Sequence, residues 1–213
     1  TTVKNIKSGS DLSLKAVLKN PKGKVVATKT VAVAGEETKI LFDPIKNPEL
    51  WDTKTPNLYS VSVSLLEKGV TYDKMDDKVG FRWFEFKDFG PFYLNGKRLL
   101  LRGTHRHEEQ AGVGAAMSNE QHRVDMESIK NMGANFVRLA HYPQDPEIYK
   151  ACDELGLLVW DELPWCRGGV GNEVWQTNSK NMLTEIINQN YNHPSIILWS
   201  MGNEMGWLPD FPG

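Results

Sequence analysis

Apolar and polar residues alternate in short runs through the first 88 positions, which is the pattern of half-buried β-strands. Turn signals such as Asn20-Pro21-Lys22-Gly23 separate these runs every 8 to 15 residues, and no helical period interrupts them. The pattern predicts an immunoglobulin-like β-sandwich over residues 1–88. Its predicted strands cover residues 12–18, 25–27, 38–42, 59–65 and 80–86.

From residue 89 the pattern changes to alternating strands and helices. A capping box at Ser118 and Gln121 predicts a helix that ends at Gly133, and Asp145-Pro146 begins a second helix that ends at Gly156. A third helix is predicted over about residues 179–190. The predicted strands are a short hairpin strand at 92–94 and four barrel or sheet strands at 97–101, 134–139, 157–160 and 196–200.

Four strands with helices between them predict a parallel sheet, either doubly wound or a (β/α) barrel. No glycine-rich phosphate loop follows a strand, which disfavours dinucleotide binding. Polar residues follow each strand instead, as in the active sites of barrels: His105 to Glu108, His141 with Tyr142, Asp161 with Glu162, and Asn203 with Glu204. A complete barrel needs eight strands and about 250 residues. We therefore predict that residues 89–213 form the first half of a (β/α)8 (TIM) barrel.

Composition narrows the possible partners. The 25 basic and 27 acidic side chains give a net charge of -2, so nucleic acid is not expected as a partner. No apolar run approaches the roughly 18 residues of a membrane span. Only Cys152 and Cys166 are present, which rules out a disulfide framework.

Several side chains can carry chemistry. Glu204 at the barrel mouth can act as a general acid or be a solvated loop glutamate, and Asn203 can bind a polar substrate or shape the turn. The pair His105 and His107 can ligate a metal or supply hydrogen bonds. Arg138 is expected to pair with a carboxylate on a neighbouring strand, either Asp161 or Glu162. Trp165, Trp175 and Trp207 lie in predicted loops, where their indole faces can stack on sugars.

Seven sequence segments, in order along the chain, resemble glycoside hydrolase family 2. They are Gly80-Phe81-Arg82, Asn95-Gly96-Lys97, residues 101–108, residues 135–143, residues 152–156, Asp161-Glu162 and the closing stretch from Asn192-His193-Pro194-Ser195 to Trp199-Ser200-Met201-Gly202-Asn203-Glu204. The resemblance implies an immunoglobulin-like domain before a (β/α)8 barrel. It also implies a retaining β-glycosidase, in which two carboxylates about 5 Å apart flank the glycosidic bond.

The resemblance also implies roles for single residues. Glu204 would be the acid/base, and Asn203 would bind the sugar 2-hydroxyl. Arg138 would order the carboxylate cluster. The remaining substrate-binding candidates are His107, His141, Asp161, Glu162 and Trp165. The nucleophile of the family is a glutamate on a later strand, which these 213 residues do not contain.

We therefore expect a fragment of an enzyme that hydrolyses terminal β-D-galactosyl residues, with a β-glucuronidase of the same family as the alternative. We expect the isolated chain to be inactive, and either oligomeric or dependent on the missing half of the barrel. No cofactor is expected. No metal is expected either, because residues 163–168 lack the E-x-H pattern that binds magnesium in many relatives. A polymeric substrate would favour a periplasmic or secreted location over the cytoplasm.

Two other classes of protein stay open. A metal-dependent hydrolase of the amidohydrolase type also places H-x-H after its first barrel strand, although it would carry a lysine where this chain has Asn203-Glu204. A non-catalytic carbohydrate-binding module would use the sandwich and the tryptophans instead.

Overall fold

A computed structural model describes residues 2–4 and 11–206 of the chain. Contacts divide the chain into two compact units, one of Thr1–Glu49 with Asn57–Phe81 and one of Leu50–Pro56 with Arg82–Gly213. The predicted domain boundary between residues 88 and 89 stays a prediction, because the division into compact units rests on contacts alone and does not define domains.

The first unit is built on four antiparallel strands, β1 (Leu12–Lys19), β2 (Val25–Ala32), β3 (Tyr59–Glu67) and β4 (Val70–Val79). They form one sheet with the order β2-β1-β3-β4. Leu14, Ala16 and Leu18 are buried and alternate along the first strand, so one face of the sheet carries the apolar side chains. Lys68 and Gly69 both have positive φ angles, 50° and 83°, as a tight hairpin turn between the last two strands requires.

One strand prediction for this unit is wrong, a second is shortened, and one strand was missed. The strand predicted over residues 80–86 covers only Phe84–Phe86, which belong to the second unit. No strand forms over residues 38–42, where only an isolated bridge between Thr2 and Glu37 lies nearby. The edge strand β4 was not predicted, because its Asp and Lys residues conceal the alternation and nearly all of its side chains are exposed. Among the described residues of this unit the strands form one sheet, so the second sheet of a sandwich stays a prediction.

The second unit opens with a small antiparallel sheet of β5 (Phe84–Phe86), β6 (Phe92–Leu94) and β7 (Lys97–Arg98). The predicted hairpin turn is confirmed, with φ angles of 51° at Asn95 and 75° at Gly96.

A parallel sheet follows, with the strands β8 (Gly103–Arg106), β9 (Phe136–Leu139), β10 (Leu158–Glu162) and β11 (Ile196–Ser200). Their order among the described residues is β11-β10-β9-β8. The helices between them are α1 (Asn119–Asn131), α2 (Pro146–Leu155) and α3 (Glu173–Asn190). This arrangement is the predicted alternation of parallel strands and helices, and it fits the first half of a (β/α)8 barrel.

The core of this unit lies between the sheet and its helices. Val137 and Leu139 of β9 and Val159 of β10 are fully buried against Met126 of α1 and Ile148 of α2. Since neighbouring residues of a strand point to opposite faces, Arg138 and Trp160 lie on the other face of the sheet, which becomes the inside of the barrel.

The start of α1 and the end of α2 lie where the sequence predicts them, whereas the start of α3 does not. Ser118 accepts a hydrogen bond from the Gln121 N–H and completes the predicted capping box of α1. Gly156 ends α2 in the left-handed conformation, with φ at 70°. Helix α3 begins six residues before its predicted start, because Asn172 caps it by accepting a hydrogen bond from the Trp175 N–H.

The first strand of the parallel sheet is also corrected, from residues 97–101 to Gly103–Arg106. The apolar run that suggested the earlier position continues the hairpin, since the Leu99 N–H donates to Phe92 O and Leu100 is exposed. His105 and Arg106 therefore lie on the strand and not after it. Among the helices of the described residues, none is long and apolar enough to cross a membrane.

Gly103 is predicted to be required for the pairing of β8 with β9. A Cβ atom at this position would lie 2.2 Å from Phe136 O, so Gly103→Ala must displace backbone. We expect the free energy of unfolding to fall by roughly 1–3 kcal/mol, the usual cost of overpacking. Tryptophan fluorescence during urea unfolding measures this directly, because every tryptophan among the described residues belongs to the second unit.

Gly206→Ala is the matched control, since a Cβ atom there has no neighbour within 4 Å. Equal midpoints for the two variants would contradict the close approach at Gly103.

Candidate active site

A buried ion pair lies at the carboxyl ends of two neighbouring strands. Arg138 of β9 donates from Nε to Glu162 Oε2 at 2.9 Å and from Nη2 to Glu162 Oε1 at 2.9 Å. The Glu162 carboxylate is fully buried, and the Arg138 guanidinium also lies 4.8 Å from the ring centre of Trp160. This bidentate geometry fixes both side chains. Of the two carboxylates considered as the partner of Arg138, the structure selects Glu162.

Histidines extend this cluster along the sheet edge. Nδ1 of His141 lies 2.7 Å from Glu162 Oε1, and its ring centre lies 5.0 Å from that of His107 in an edge-on contact. The ring centre of His105 lies 5.7 Å from that of His107, also in an edge-on contact. Within the described residues, no group of three or more His, Cys, Asp or Glu side chains is placed to hold a metal ion.

Asn203 joins the turn after β11 to the same cluster. Its Oδ1 accepts a hydrogen bond from Arg138 Nη2 at 3.1 Å. Because the amide oxygen is used in this way, the Asn203 Nδ2 group is the part that can donate to a ligand hydroxyl. In the structure Nδ2 lies 3.6 Å from Cys166 Sγ.

Glu204 follows directly and sits in an unusual backbone conformation. Its φ angle is 53°, in the left-handed region that residues other than glycine rarely adopt. Its side chain is 44% exposed, and Oε2 lies 3.2 Å from Arg167 Nε. The carboxylate is therefore open to a ligand while one of its oxygens is paired.

Asp161 lies on the opposite side of β10 from Glu162, and the structure does not bring it to the cluster. Its carboxylate is fully buried and accepts hydrogen bonds from the Tyr149 hydroxyl at 3.0 and 3.1 Å. Burial raises the pKa of Asp161 to about 6, although the bond from Tyr149 partly offsets the effect. This placement makes Asp161 a part of the core beneath the site.

Trp165 lies in the loop after β10. It is half-buried, its Nε1–H donates to Gly168 O at 3.3 Å, and its ring centre lies 4.5 Å from that of Trp175, edge-on. Trp175 itself belongs to α3 and not to a loop as predicted. Trp207 lies outside the described residues.

The structure thus brings together four of the predicted site residues through hydrogen bonds and places His107 beside them. Those four are Arg138, His141, Glu162 and Asn203. Glu204 is the next residue in the chain. Sequence reasoning missed Arg167, and the only signal for it was a basic residue in the loop that follows Asp161-Glu162.

Two family descriptions match the chain almost from end to end. Residues 2–82 match "Glycosyl hydrolases family 2", and residues 84–211 match "Glycosyl hydrolases family 2, TIM barrel domain". The chain belongs to glycosyl hydrolase family 2. The predicted family is therefore confirmed, and so is the start of a TIM barrel in the second half of the chain.

Three relatives illustrate this membership. A Formosa agariphila protein named "Putative beta-glucuronidase" is 69% identical over 211 residues, which cover 99% of this chain and 26% of that protein. A beta-galactosidase of Thermoanaerobacterium thermosulfurigenes is 42% identical over 75% of this chain and 22% of its own length. The crystal structure of Parabacteroides merdae beta-glucuronidase has a TM-score of 0.90 and 43% identity, covering 96% of this chain and 26% of that one. The chain spans about a quarter of the length of these glycosidases.

The raised pKa of Asp161 predicts a specific pH dependence of stability. Because the folded pKa is about 6 against an ordinary value of 3.8, folding favours the protonated carboxyl. Its stabilising effect is complete below the unfolded pKa and is lost as pH rises through about 6, by roughly 3 kcal/mol in total. In Asp161→Asn this loss is absent. Urea unfolding at about pH 4 and about pH 7.5, followed by tryptophan fluorescence, compares the two proteins.

We expect wild type to lose stability relative to Asp161→Asn as the pH rises. Asp88→Asn removes an exposed carboxylate and serves as the control, for which no such difference should develop. A constant difference between wild type and Asp161→Asn at both pH values would contradict the raised pKa.

Proposed function

We propose that this chain supplies the acid/base half of the active site of a retaining β-glycosidase. The observation that carries the proposal is the position of Glu204. It lies beside Asn203, whose amide oxygen is held by the buried pair of Arg138 and Glu162. Glu204 thus supplies an open carboxylate in the residue directly after a fixed hydrogen-bond donor for a sugar hydroxyl.

In the proposed reaction, the protonated Glu204 gives its proton to the leaving oxygen while a second carboxylate attacks the anomeric carbon. A covalent glycosyl-enzyme results. Glu204 then takes a proton from water, and the water oxygen attacks the same carbon and releases the sugar and the second carboxylate. Glu162 is unsuited to the role of nucleophile, because it is fully buried and both of its oxygens are bonded to Arg138 and His141. We therefore propose that the nucleophile is a glutamate of a later barrel strand, as the family resemblance implies.

For the sugar, we propose a β-glucuronide in place of the β-galactoside expected from the sequence. The support comes from the relatives: the protein at 69% identity carries a glucuronidase name, and the solved Parabacteroides merdae enzyme is a beta-glucuronidase. A β-galactoside is the second candidate, favoured by the beta-galactosidase at 42% identity. A periplasmic or secreted location stays part of the proposal.

A hybrid enzyme tests both the acid/base and the sugar. In it, this chain replaces the matching 211-residue segment of the Formosa agariphila protein, which supplies the rest of the barrel. We expect the hybrid to hydrolyse an aryl β-glucuronide and to keep the sugar preference of the unaltered host. Glu204→Gln should lower kcat/KM for a 4-nitrophenyl glycoside by about 100-fold, since general acid catalysis is lost.

Glu185→Gln, an exposed glutamate of α3, is the matched control and should retain activity. An unchanged rate in Glu204→Gln would refute its acid/base role. A shift of the preference from glucuronide to galactoside in the hybrid, relative to its host, would select the second candidate.

The isolated chain is predicted to be inactive, because in the proposed arrangement the second carboxylate comes from a later strand of the barrel. The measurement is hydrolysis of aryl β-glucuronide, galactoside, mannoside and glucoside by the chain alone. Turnover of any one of them that disappears in Glu204→Gln would show that these residues contain the nucleophile after all.

A further inference from the structure

The loop after β10 is joined to the turn after β11 by backbone hydrogen bonds. The Asn203 N–H donates to Trp165 O at 2.7 Å, and the Arg167 N–H donates to Asn203 O at 3.0 Å. Gly202 makes this approach possible, since a Cβ atom there would lie 2.6 Å from Trp165 O. The two segments therefore continue the parallel pairing past the ends of β10 and β11, through a bridge between Cys166 and Asn203, the residue before Glu204.

This extension sets Arg167 against Glu204. Arg167 Nε lies 3.2 Å from Glu204 Oε2, and both residues have left-handed backbones, with φ angles of 56° and 53°. The two side chains are 68% and 44% exposed, so the ion pair adds little to stability. Instead, the ion pair orients the Glu204 carboxylate, because it holds Oε2 against the guanidinium.

We propose that Arg167 is a positioning residue for Glu204 in the glycosidase reaction, an inference that rests on the proposed function. A general acid must hold its proton within hydrogen-bond distance of the leaving oxygen. The guanidinium binds Oε2 and thereby leaves Oε1 to carry the proton. When that proton passes to the leaving oxygen, the negative charge that develops on the Glu204 carboxylate meets a cation that is already in place.

Leaving groups of different acidity separate this role from a merely structural one. An alkyl or sugar leaving group needs the proton from Glu204, whereas 2,4-dinitrophenolate leaves without it. In the hybrid described above, Arg167→Met should lower kcat/KM for the alkyl glycoside roughly tenfold and for the dinitrophenyl glycoside less than about threefold. Arg167→Lys retains the cation and should recover part of the loss.

Arg98→Met removes an exposed arginine of β7 and should affect neither substrate. Equal losses on both substrates in Arg167→Met would overturn the proposal and assign Arg167 to the folding of its loop, and unchanged rates on both would overturn it as well. Glu204→Gln distinguishes a failure of the proposed function. If the loss of kcat/KM in Glu204→Gln is the same for both leaving groups, Glu204 is not the acid. If Glu204→Gln loses more kcat/KM on the alkyl glycoside than on the dinitrophenyl glycoside and Arg167→Met does not, only the role of Arg167 is refuted.

Discussion

Burial of the Glu162 carboxylate is possible only because a cation lies against it. A buried carboxylate without partners is costly, and Arg138 offsets that cost with a bidentate pair to both oxygens. The same guanidinium binds Asn203, and His141 approaches the same carboxylate. One charge pair, Arg138 with Glu162, therefore holds the ends of β9, β10 and β11 together. Because Asn203 is bound to this pair, the pair also helps to fix the backbone position of Glu204, the next residue.

A second set of contacts determines where β11 begins. Asp153 of α2 accepts a hydrogen bond from the Ser195 N–H at 3.1 Å, and its other oxygen lies 2.6 Å from His193 Nδ1. Arg82 donates to Pro194 O at 2.9 Å and to Ile196 O at 2.7 Å. Since the turn that carries Glu204 comes directly after β11, these bonds at the start of the strand help to fix the site at its other end.

Much of the second unit could be predicted because its signals are local. The capping box at Ser118, the Asp145-Pro146 start of α2 and the Gly156 stop act within one turn of helix, so the nearby residues suffice. The prediction of the first parallel strand at residues 97–101 was wrong, because an apolar run does not reveal which strand it pairs with. The pairing of β8 depends on the close approach of Gly103 to Phe136, which lies far along the chain.

The roles of adjacent carboxylates could not be predicted from their motif alone. Asp161 and Glu162 are neighbours on one strand, so the alternation of side chains sends them to opposite faces of the sheet. Asp161 meets Tyr149 in the core, where burial raises its pKa, whereas Glu162 meets Arg138 on the inner face. The packing of the helices decides which face of the sheet is the core face and which is the inner face. The pairing of Arg167 with Glu204 depends in the same way on the turn after β11. Residue type thus indicates the chemistry that is available, and the register of distant strands decides which side chain can perform it.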